Sequence, residues 1–334
     1  MTASRRLSTN LFLGGLMNSK VAPLIESGLM AAITAILGMA ATYLPVVGLL
    51  VEFFCPLPIV VLTVRQGFKY GAAASLVSLL MLLMFMGPIL AVRITMMFSL
   101  CGLMFGYCLR RGFSAVKCLI PTLIMAFAAQ VISILMMTII LGVNVIDDEV
   151  NLMRESFAQA LQIYENAGID PATIGYAQDQ VEALIQLIAI LTPIILFLTA
   201  LVNVVVNYLI AKIIFRKLNM KFAEPLPSFA QWRFSRAFLY LAAFSALGLY
   251  WGETRALPAL YFVAMNGLFF AVLIGLVQGI SLLSFIADRY NISTFVRRMI
   301  FVIVILNFML AQIVAFTGLF DMIFDYRKYF RDKT

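Results

Sequence analysis

"PLPIVVLTVRQGFKYGAAAS", residues 56–75, decides the fold class of this chain. An apolar run with two prolines leads into Arg65 and Lys69, and a series of small residues then opens a second apolar run. Charged side chains are costly in the hydrocarbon core of a bilayer, so a short basic segment between two apolar runs is typical of a tight turn at the membrane surface. The stretch therefore predicts two membrane-spanning helices joined by a turn.

The rest of the chain repeats this pattern. Of its 334 residues, 63% are hydrophobic and only 12% are charged, whereas about 25% of the residues in a soluble domain are charged. Apolar runs of about 20 residues, the length of a helix that crosses a bilayer, recur along the whole chain. The composition predicts an all-α polytopic membrane protein with no room for a large soluble domain.

Few residues are suited to catalysis or to holding a cofactor. The chain has no histidine, and its four cysteines lie in or beside apolar runs without a C-x-x-C pair. Walker-type, H-E-x-x-H and G-x-S-x-G motifs are absent from the sequence. We therefore expect no enzyme activity, no metal site and no cofactor. The net charge of +8 comes from short basic segments between apolar runs, which favours membrane lipid over nucleic acid as a partner.

The apolar runs predict nine spans, in which basic residues are concentrated in alternate loops. The positive-inside rule then puts the N-terminus (1–20) and a basic loop (216–235) in the cytoplasm. Nine spans leave the charged tail (321–334) outside although it is basic, so eight spans with an internal tail stay open as an alternative. The nine predicted spans are 21–43, 46–64, 70–87, 89–109, 118–141, 183–211, 236–251, 256–287 and 299–320.

One long hydrophilic segment, 142–182, interrupts the apolar runs. It contains eight acidic residues and a single basic one, Arg154. Its spacing is helical up to Gly168, and Asp170-Pro171 is a signal for a new helix. We expect an acidic helical hairpin on the outer surface that acts as a solvated cap, because its acids are too scattered for a calcium loop.

Two charged residues fall inside predicted spans. Glu52 and Arg93 both lie a few residues from the outer end of their spans, at a similar depth of roughly 6–9 Å given a rise of about 1.5 Å per residue. We expect them to face each other or a shared polar cavity open to the outside, where they would bind substrate. The alternatives are a structural ion pair and snorkelling toward the headgroups.

A face of small residues runs along the first predicted span. Ala31, Ala35, Gly38 and Thr42 recur at helical spacing, and small residues let helix backbones approach closely in lipid. The face is suited either to packing within the chain or to docking another membrane protein, and the residues alone leave both open.

The N-terminal two thirds resemble a transporter component. The helix end "PLPIVVLTVRQG", followed by "YGAAASLVSLLMLL" and a Gly-Pro break, resembles the substrate-binding (S) components of energy-coupling-factor (ECF) vitamin transporters. The alanines at 31 and 35 resemble the face with which that family docks its coupling subunit. The resemblance covers 21–215 and implies a six-helix core, with a coupling-factor transmembrane subunit and ATPases as partners.

The whole chain resembles the uncharacterised YybS-like family of bacterial membrane proteins. The resemblance rests on "LTPIILFLTALVNVVVNYLIAKIIFRKL", "VQGISLL" and "TGLFDMIFDYRKYF". It implies an S-component-like core plus two to three additional transmembrane helices within 236–320, in a bacterial cell membrane.

These features predict uptake of an unknown small-molecule solute, captured near Glu52 and Arg93 in an outward-facing pocket. The alternative is a non-transporting scaffold or regulatory protein that recruits partners through its small-residue faces and basic loops. Proteins and solutes that copurify with the chain would distinguish the two.

Overall fold

The structure, a computed structural model, describes residues 21–142, 144–220, 222–224 and 226–331. These residues form α-helices and one short 3-10 helix, and none of them forms a β-strand. The prediction of an all-α polytopic membrane protein is confirmed. The expected cytoplasmic N-terminus (1–20) and the last residues of the charged tail lie outside the described residues.

The helices follow the apolar runs with several breaks. The first six are α1 (Ala22–Tyr43), α2 (Val47–Glu52), α3 (Leu57–Gln66), α4 (Phe68–Phe85), α5 (Pro88–Arg110) and α6 (Ala115–Leu141). The acidic segment forms α7 (Val145–Asn166) and the start of α8 (Pro171–Lys217). The C-terminal part forms α9 (Ala237–Thr254), α10 (Pro258–Arg289), α11 (Thr294–Leu306), α12 (Phe308–Phe324) and α13 (Tyr326–Arg331).

Fewer helical stretches than the nine predicted spans have the length and apolar composition of a membrane span. In the described part of the chain, seven helical stretches are long and apolar enough to cross a membrane: α1, α2 with α3, α4, α5, α6, α8 and α10. Helix α9, which is 18 residues long and has Glu253 and Thr254 at its end, is not among them. Helices α11 and α12 meet at an angle of 104°, so the predicted span 299–320 is a broken span or a re-entrant loop.

The charged tail lies on the same side as the basic loop. Arg327 in α13 donates to the carbonyl oxygens of Ala230 and Trp232 at 2.6 and 2.9 Å. Groups in hydrogen-bond contact cannot lie on opposite sides of a bilayer whose core is about 30 Å thick. The nine-span prediction, which separates the tail from the loop, is therefore wrong. The physical reason is the bend at Asn307, which prevents α11 and α12 from forming one straight span.

The chain divides into two compact units, which differ from the domain boundaries expected from the sequence. Unit 1 comprises the described residues of Met1–Val145 and Leu196–Pro225, and unit 2 those of Ile146–Ile195 and Leu226–Thr334. The expected core at 21–215 included the acidic hairpin, whereas the contacts group the hairpin with the C-terminal helices.

The stretch at 56–75 forms the centre of unit 1. Every residue from 57 to 63 is buried. Gly67 adopts a φ of +104°, a conformation that favours glycine, and this allows α4 to begin directly after α3. Gly71 on α4 packs against Thr63, and Gly106 on α5 packs against the same residue from another side. These glycines allow three helix backbones to approach closely.

Basic residues also hold the ends of these helices together. Arg65 forms an ion pair with Glu26 at 2.8 Å, and Gln66 donates to the same carboxylate at 2.6 Å, which joins the end of α3 to the start of α1. Arg110 donates to the carbonyl oxygen of Val64 at 3.1 Å and so caps α3. The two polar residues before Gly67 thus fix a helix pair as well as marking a turn.

Unit 2 is organised around a close crossing of α10 and α12. Gly275 and Gly279 of α10 face Gly318 of α12, and a Cβ atom at any of these positions would collide with the opposite helix. Around the crossing, Ala271 and Leu319 pack with further buried apolar side chains. Asn307 begins α12 by accepting a hydrogen bond from the backbone N–H of Leu310.

Candidate functional site

Glu52 is the last residue of α2 and lies at a break in a membrane span. The break covers 53–56, where Pro56 and Pro58 interrupt the helix because proline lacks an N–H donor and restricts the residue before it. A helix end leaves backbone groups without intrahelical partners, so the break is a polar position within an apolar run. The half-buried Glu52 carboxylate is placed there.

The structure places Glu52 and Arg93 on the wall of one cavity in unit 1. This cavity has a volume of about 210 Å³. Arg93 is exposed, and its guanidinium makes one weak hydrogen bond within the described residues, of 3.9 Å to the sulfur of Met137. Among the described residues, no acidic group lies within 4 Å of the Arg93 guanidinium. Besides the two charged residues, the wall includes Thr42, Ile94, Met97 and Phe98.

Two asparagines from α8 extend the polar side of the cavity. Asn203 donates to Glu52 across a long distance of 3.5 Å, and Asn207 donates to the backbone oxygen of Asn203 at 2.8 Å. The buried Oδ1 of Asn207 has no partner in the described part of the chain. Gln130 and both asparagines line a second space of about 10 Å³, large enough for about one water molecule.

The chemistry of the cavity follows from these groups. One carboxylate and one guanidinium share a wall without an ion pair, so both keep hydrogen-bonding capacity for a third party. Met97 and Phe98 add an apolar surface to the same cavity wall. Such a cavity suits a small solute that carries both a cationic and an anionic group.

Three residues of the small-residue face of α1, Ala31, Ala35 and Gly38, are buried inside unit 1, whereas Thr42 at its end is exposed. Ala31 and Ala35 are 0% and 1% exposed. Ala31 packs with Ile59 and Ala74, while Gly38 faces Ile94 and Leu82. Thr42, further along the same face, donates its hydroxyl to the backbone oxygen of Gly38. Ala31 and Ala35 are thus used for packing within the chain, and docking of a partner on this face stays a prediction.

A second polar cluster, in unit 2, was not predicted from the sequence. Arg327 and Asp321 both have side chains that are only 2% exposed, and the guanidinium Nε lies 3.5 Å from a carboxylate oxygen. The other carboxylate contacts come from the Gln278 side chain at 2.5 Å and the backbone N–H of Tyr326 at 3.1 Å. Asp321 is thus fully enclosed by donors.

The Arg327 guanidinium is enclosed in the same way. It donates to Ala230, Trp232 and the Ser281 hydroxyl at 2.6–3.0 Å, and it lies 5.7 Å from the ring of Phe285. Burial lowers the pKa of Arg327, but arginine stays protonated at physiological pH. The cluster holds the tail against the 226–236 loop, and of the guanidinium nitrogens only Nε, which is buried 3.5 Å from the Asp321 carboxylate, makes no hydrogen bond within the described residues.

The sequence did contain a signal for this cluster. Gln278 and Ser281 lie in "VQGISLL", and Asp321 and Arg327 lie in "TGLFDMIFDYRKYF". Both segments belong to the stretches on which the family resemblance rests. A pair of polar residues in an apolar segment predicts a buried partner, although the spacing does not say which one.

The cysteines and acidic residues do not assemble a metal centre in the described ranges. No group of three or more His, Cys, Asp or Glu side chains within these ranges is close enough to hold a metal ion. The four cysteines are free and buried.

The fold and its cavities define a polytopic helical membrane protein. The model of the family described as "Predicted membrane protein (DUF2232)" matches residues 32–322, and the chain belongs to this family. It is similar to "Uncharacterized protein YybS" of Bacillus subtilis (strain 168), with 27% identity over 278 residues that cover 80% of this chain and 84% of the relative. These matches confirm the YybS-like resemblance. No solved structure matches the chain, and the resemblance to ECF S components stays a prediction.

Proposed function

We propose that unit 1 captures a small zwitterionic solute in the membrane, as the solute-binding part of an uptake system. One observation carries the proposal: Glu52 and Arg93 line the same cavity without pairing with each other. In this arrangement Glu52 receives the cationic group of the solute and Arg93 its anionic group.

The energetic cost of these charges supports a ligand role. A charged side chain costs at least about 2.5 kcal/mol at the centre of a membrane helix and less toward its end, where Glu52 and Arg93 lie. A purely structural pair would recover part of this cost by direct contact. Glu52 instead has a single hydrogen bond of 3.5 Å to Asn203. A solute that bridges the two charges supplies the missing contacts.

The size of the cavity limits the solute. At about 210 Å³, it is smaller than the roughly 300–1,000 Å³ of sites for drug-sized ligands. A solute of amino-acid size fits this volume better than a vitamin does.

Energy for uptake would come from separate proteins. The sequence contains no Walker-type loop, so a coupling subunit and ATPases are the partners of this proposal. The positive-inside distribution supports a cytoplasmic N-terminus, and the cavity then opens outward. The similarity to a Bacillus subtilis protein supports a bacterial cell membrane.

Thermal unfolding of the full chain in a non-ionic detergent tests the proposal. The probes are glycine, alanine and betaine, each compared with methylamine and acetate, which carry only one of the two charges. We expect at least one zwitterion to raise the unfolding midpoint while the single-charge probes do not. Glu52→Gln and Arg93→Gln should each weaken zwitterion binding about tenfold, the size of a charge-assisted hydrogen bond.

Two charge-matched controls separate the cavity from general electrostatics. Glu155 and Arg216 are exposed and do not line the cavity, so Glu155→Gln and Arg216→Gln should leave binding unchanged. The reversal of Glu52→Arg with Arg93→Glu should restore part of the affinity that each single reversal loses. If no zwitterion binds and only cytosolic proteins copurify, the scaffold alternative replaces solute capture.

A further inference from the structure

Unit 2 contains a cavity that the proposed function does not use. Its volume is about 440 Å³. Three segments form its wall: the loop before α9, the end of α10 and the start of α11. The polar residues on the wall are Ser228, Ser284, Asp288, Thr294, Arg297 and Arg298.

One of the two arginines in this cavity, Arg298, has no ion pair within the described residues. Arg297 forms an ion pair with Asp288, so these two charges largely neutralise each other. Arg298 has neither an ion pair nor a side-chain hydrogen bond among the described residues. The cavity therefore carries a net positive charge at Arg298, and an anion is the ligand that complements it.

A buried hydroxyl points to the same ligand class. Ser284 is only 5% exposed, lines the cavity and has no hydrogen-bond partner within the described chain. Because this hydroxyl is on the cavity wall and makes no bond within the described chain, it can donate to a ligand oxygen in the cavity. Thr294 is the first residue of α11, and the positive end of a helix dipole also favours an anion there.

Apolar side chains next to the cavity suit acyl chains. Helix α11 exposes Phe295 to 73%, Val302 to 48% and Leu306 to 80%. The helix therefore combines two arginines in its first turns with an unpartnered apolar surface. Basic pockets of this kind, between helices at the membrane surface, hold the headgroups of anionic lipids.

We propose that this cavity binds the phosphate group of an anionic phospholipid. Arg298 neutralises the phosphate, the Ser284 hydroxyl donates to one of its oxygens, and the lipid tails lie along α11. The proposal is independent of solute capture in unit 1, because it involves none of the same residues.

Native mass spectrometry of the delipidated full chain tests this site. Dioctanoyl phosphatidylglycerol, dioctanoyl phosphatidylcholine and inorganic phosphate are titrated in a non-ionic detergent. We expect phosphatidylglycerol to bind about tenfold more tightly than phosphatidylcholine, because the phosphate of phosphatidylcholine is neutralised by the ammonium of its own headgroup. Arg298→Gln and Ser284→Ala should each remove most of this preference.

The controls keep the test informative. Arg216→Gln changes the net charge equally at an exposed position of unit 1 and should leave the preference intact. Ser284→Ala removes a hydroxyl without a partner, so its unfolding midpoint in the absence of lipid should stay at the value of the unmodified chain. Equal losses with Arg298→Gln and Arg216→Gln, or equal binding of the two lipids, would overturn the site. If inorganic phosphate binds in a manner that depends on Arg298 and neither lipid binds, the site takes free phosphate, and the proposal of a phospholipid ligand is wrong.

Discussion

Each unit contains an arginine and an acidic residue within or beside apolar segments, but the two pairs differ in how many partners they have. In unit 2, Arg327 and Asp321 are almost fully buried and every charged group has several partners. In unit 1, Glu52 and Arg93 share a cavity, yet Glu52 has one long hydrogen bond and Arg93 a single weak contact. A saturated charge cluster stabilises a fold, whereas unsaturated charges on one cavity wall keep capacity for a ligand.

A charged residue in an apolar segment can therefore indicate either a functional site or a structural cluster, and the number of its partners distinguishes the two. An intramembrane charge marks a candidate functional site by default. The Arg327 cluster fits a structural role better, because both charged groups are buried against each other and make several hydrogen bonds to Gln278, Ser281 and the loop carbonyls. Substitutions at both sites therefore test whether the unit 2 cluster is structural and the unit 1 cavity is not.

The largest effect is expected from Arg327→Met. The variant leaves the Asp321 carboxylate buried without its ion pair and removes the donors to Ala230 and Trp232. Loss of one partner of a buried pair costs about 3–5 kcal/mol, so the free energy of unfolding should fall by this amount. Chemical denaturation of the full chain in detergent micelles measures it.

Lys328 provides the control for that experiment. It is 77% exposed and lies 3.7 Å from Asp325, and surface pairs contribute about 0–1 kcal/mol. Lys328→Gln should therefore change the stability little. Similar losses in both variants would mean that the tail as a whole, and not the buried pair, determines stability.

A smaller effect is expected from Ala31→Leu on the α1 face. Ala31 is 0% exposed and packed among Ile59, Leu62 and Ala74. Extra methylene groups in a packed core cost about 1–3 kcal/mol, so the purified chain itself should lose stability. Ala73→Leu is the matched control, because Ala73 is exposed on α4. A stable Ala31→Leu variant that loses only a copurifying partner would support the docking interpretation.

The sequence predicted this fold where information is local. Apolar runs and basic turns located the spans up to residue 217, since each depends only on neighbouring residues. The matching depth of Glu52 and Arg93 also suggested a shared cavity, and both residues line one, whereas substrate binding there stays a prediction. Depth is a local property, because the rise per residue of a helix is fixed.

Long-range pairing explains what the sequence did not predict. Arg327 contacts Ala230 and Ser281, which lie far away along the chain, and nothing in their spacing links them. The bend at Asn307 was missed because the segment 299–320 has the apolar composition of an uninterrupted span. Whether the α1 face packs inside or docks a partner depends on which helices surround it, so composition alone left both open.

The smallest change in stability is expected from Glu52→Gln. The substituted amide keeps an oxygen that can accept from Asn203, and no ion pair is lost, so the free energy of unfolding should change by less than about 1 kcal/mol. Denaturation in the same detergent as the Arg327→Met variant gives a direct comparison, while zwitterion binding in that sample should still be weakened. A loss as large as that of Arg327→Met would show that the Glu52 charge is already committed to the fold. The cavity would then be a structural cluster like the one in unit 2, and its charges would no longer support a solute.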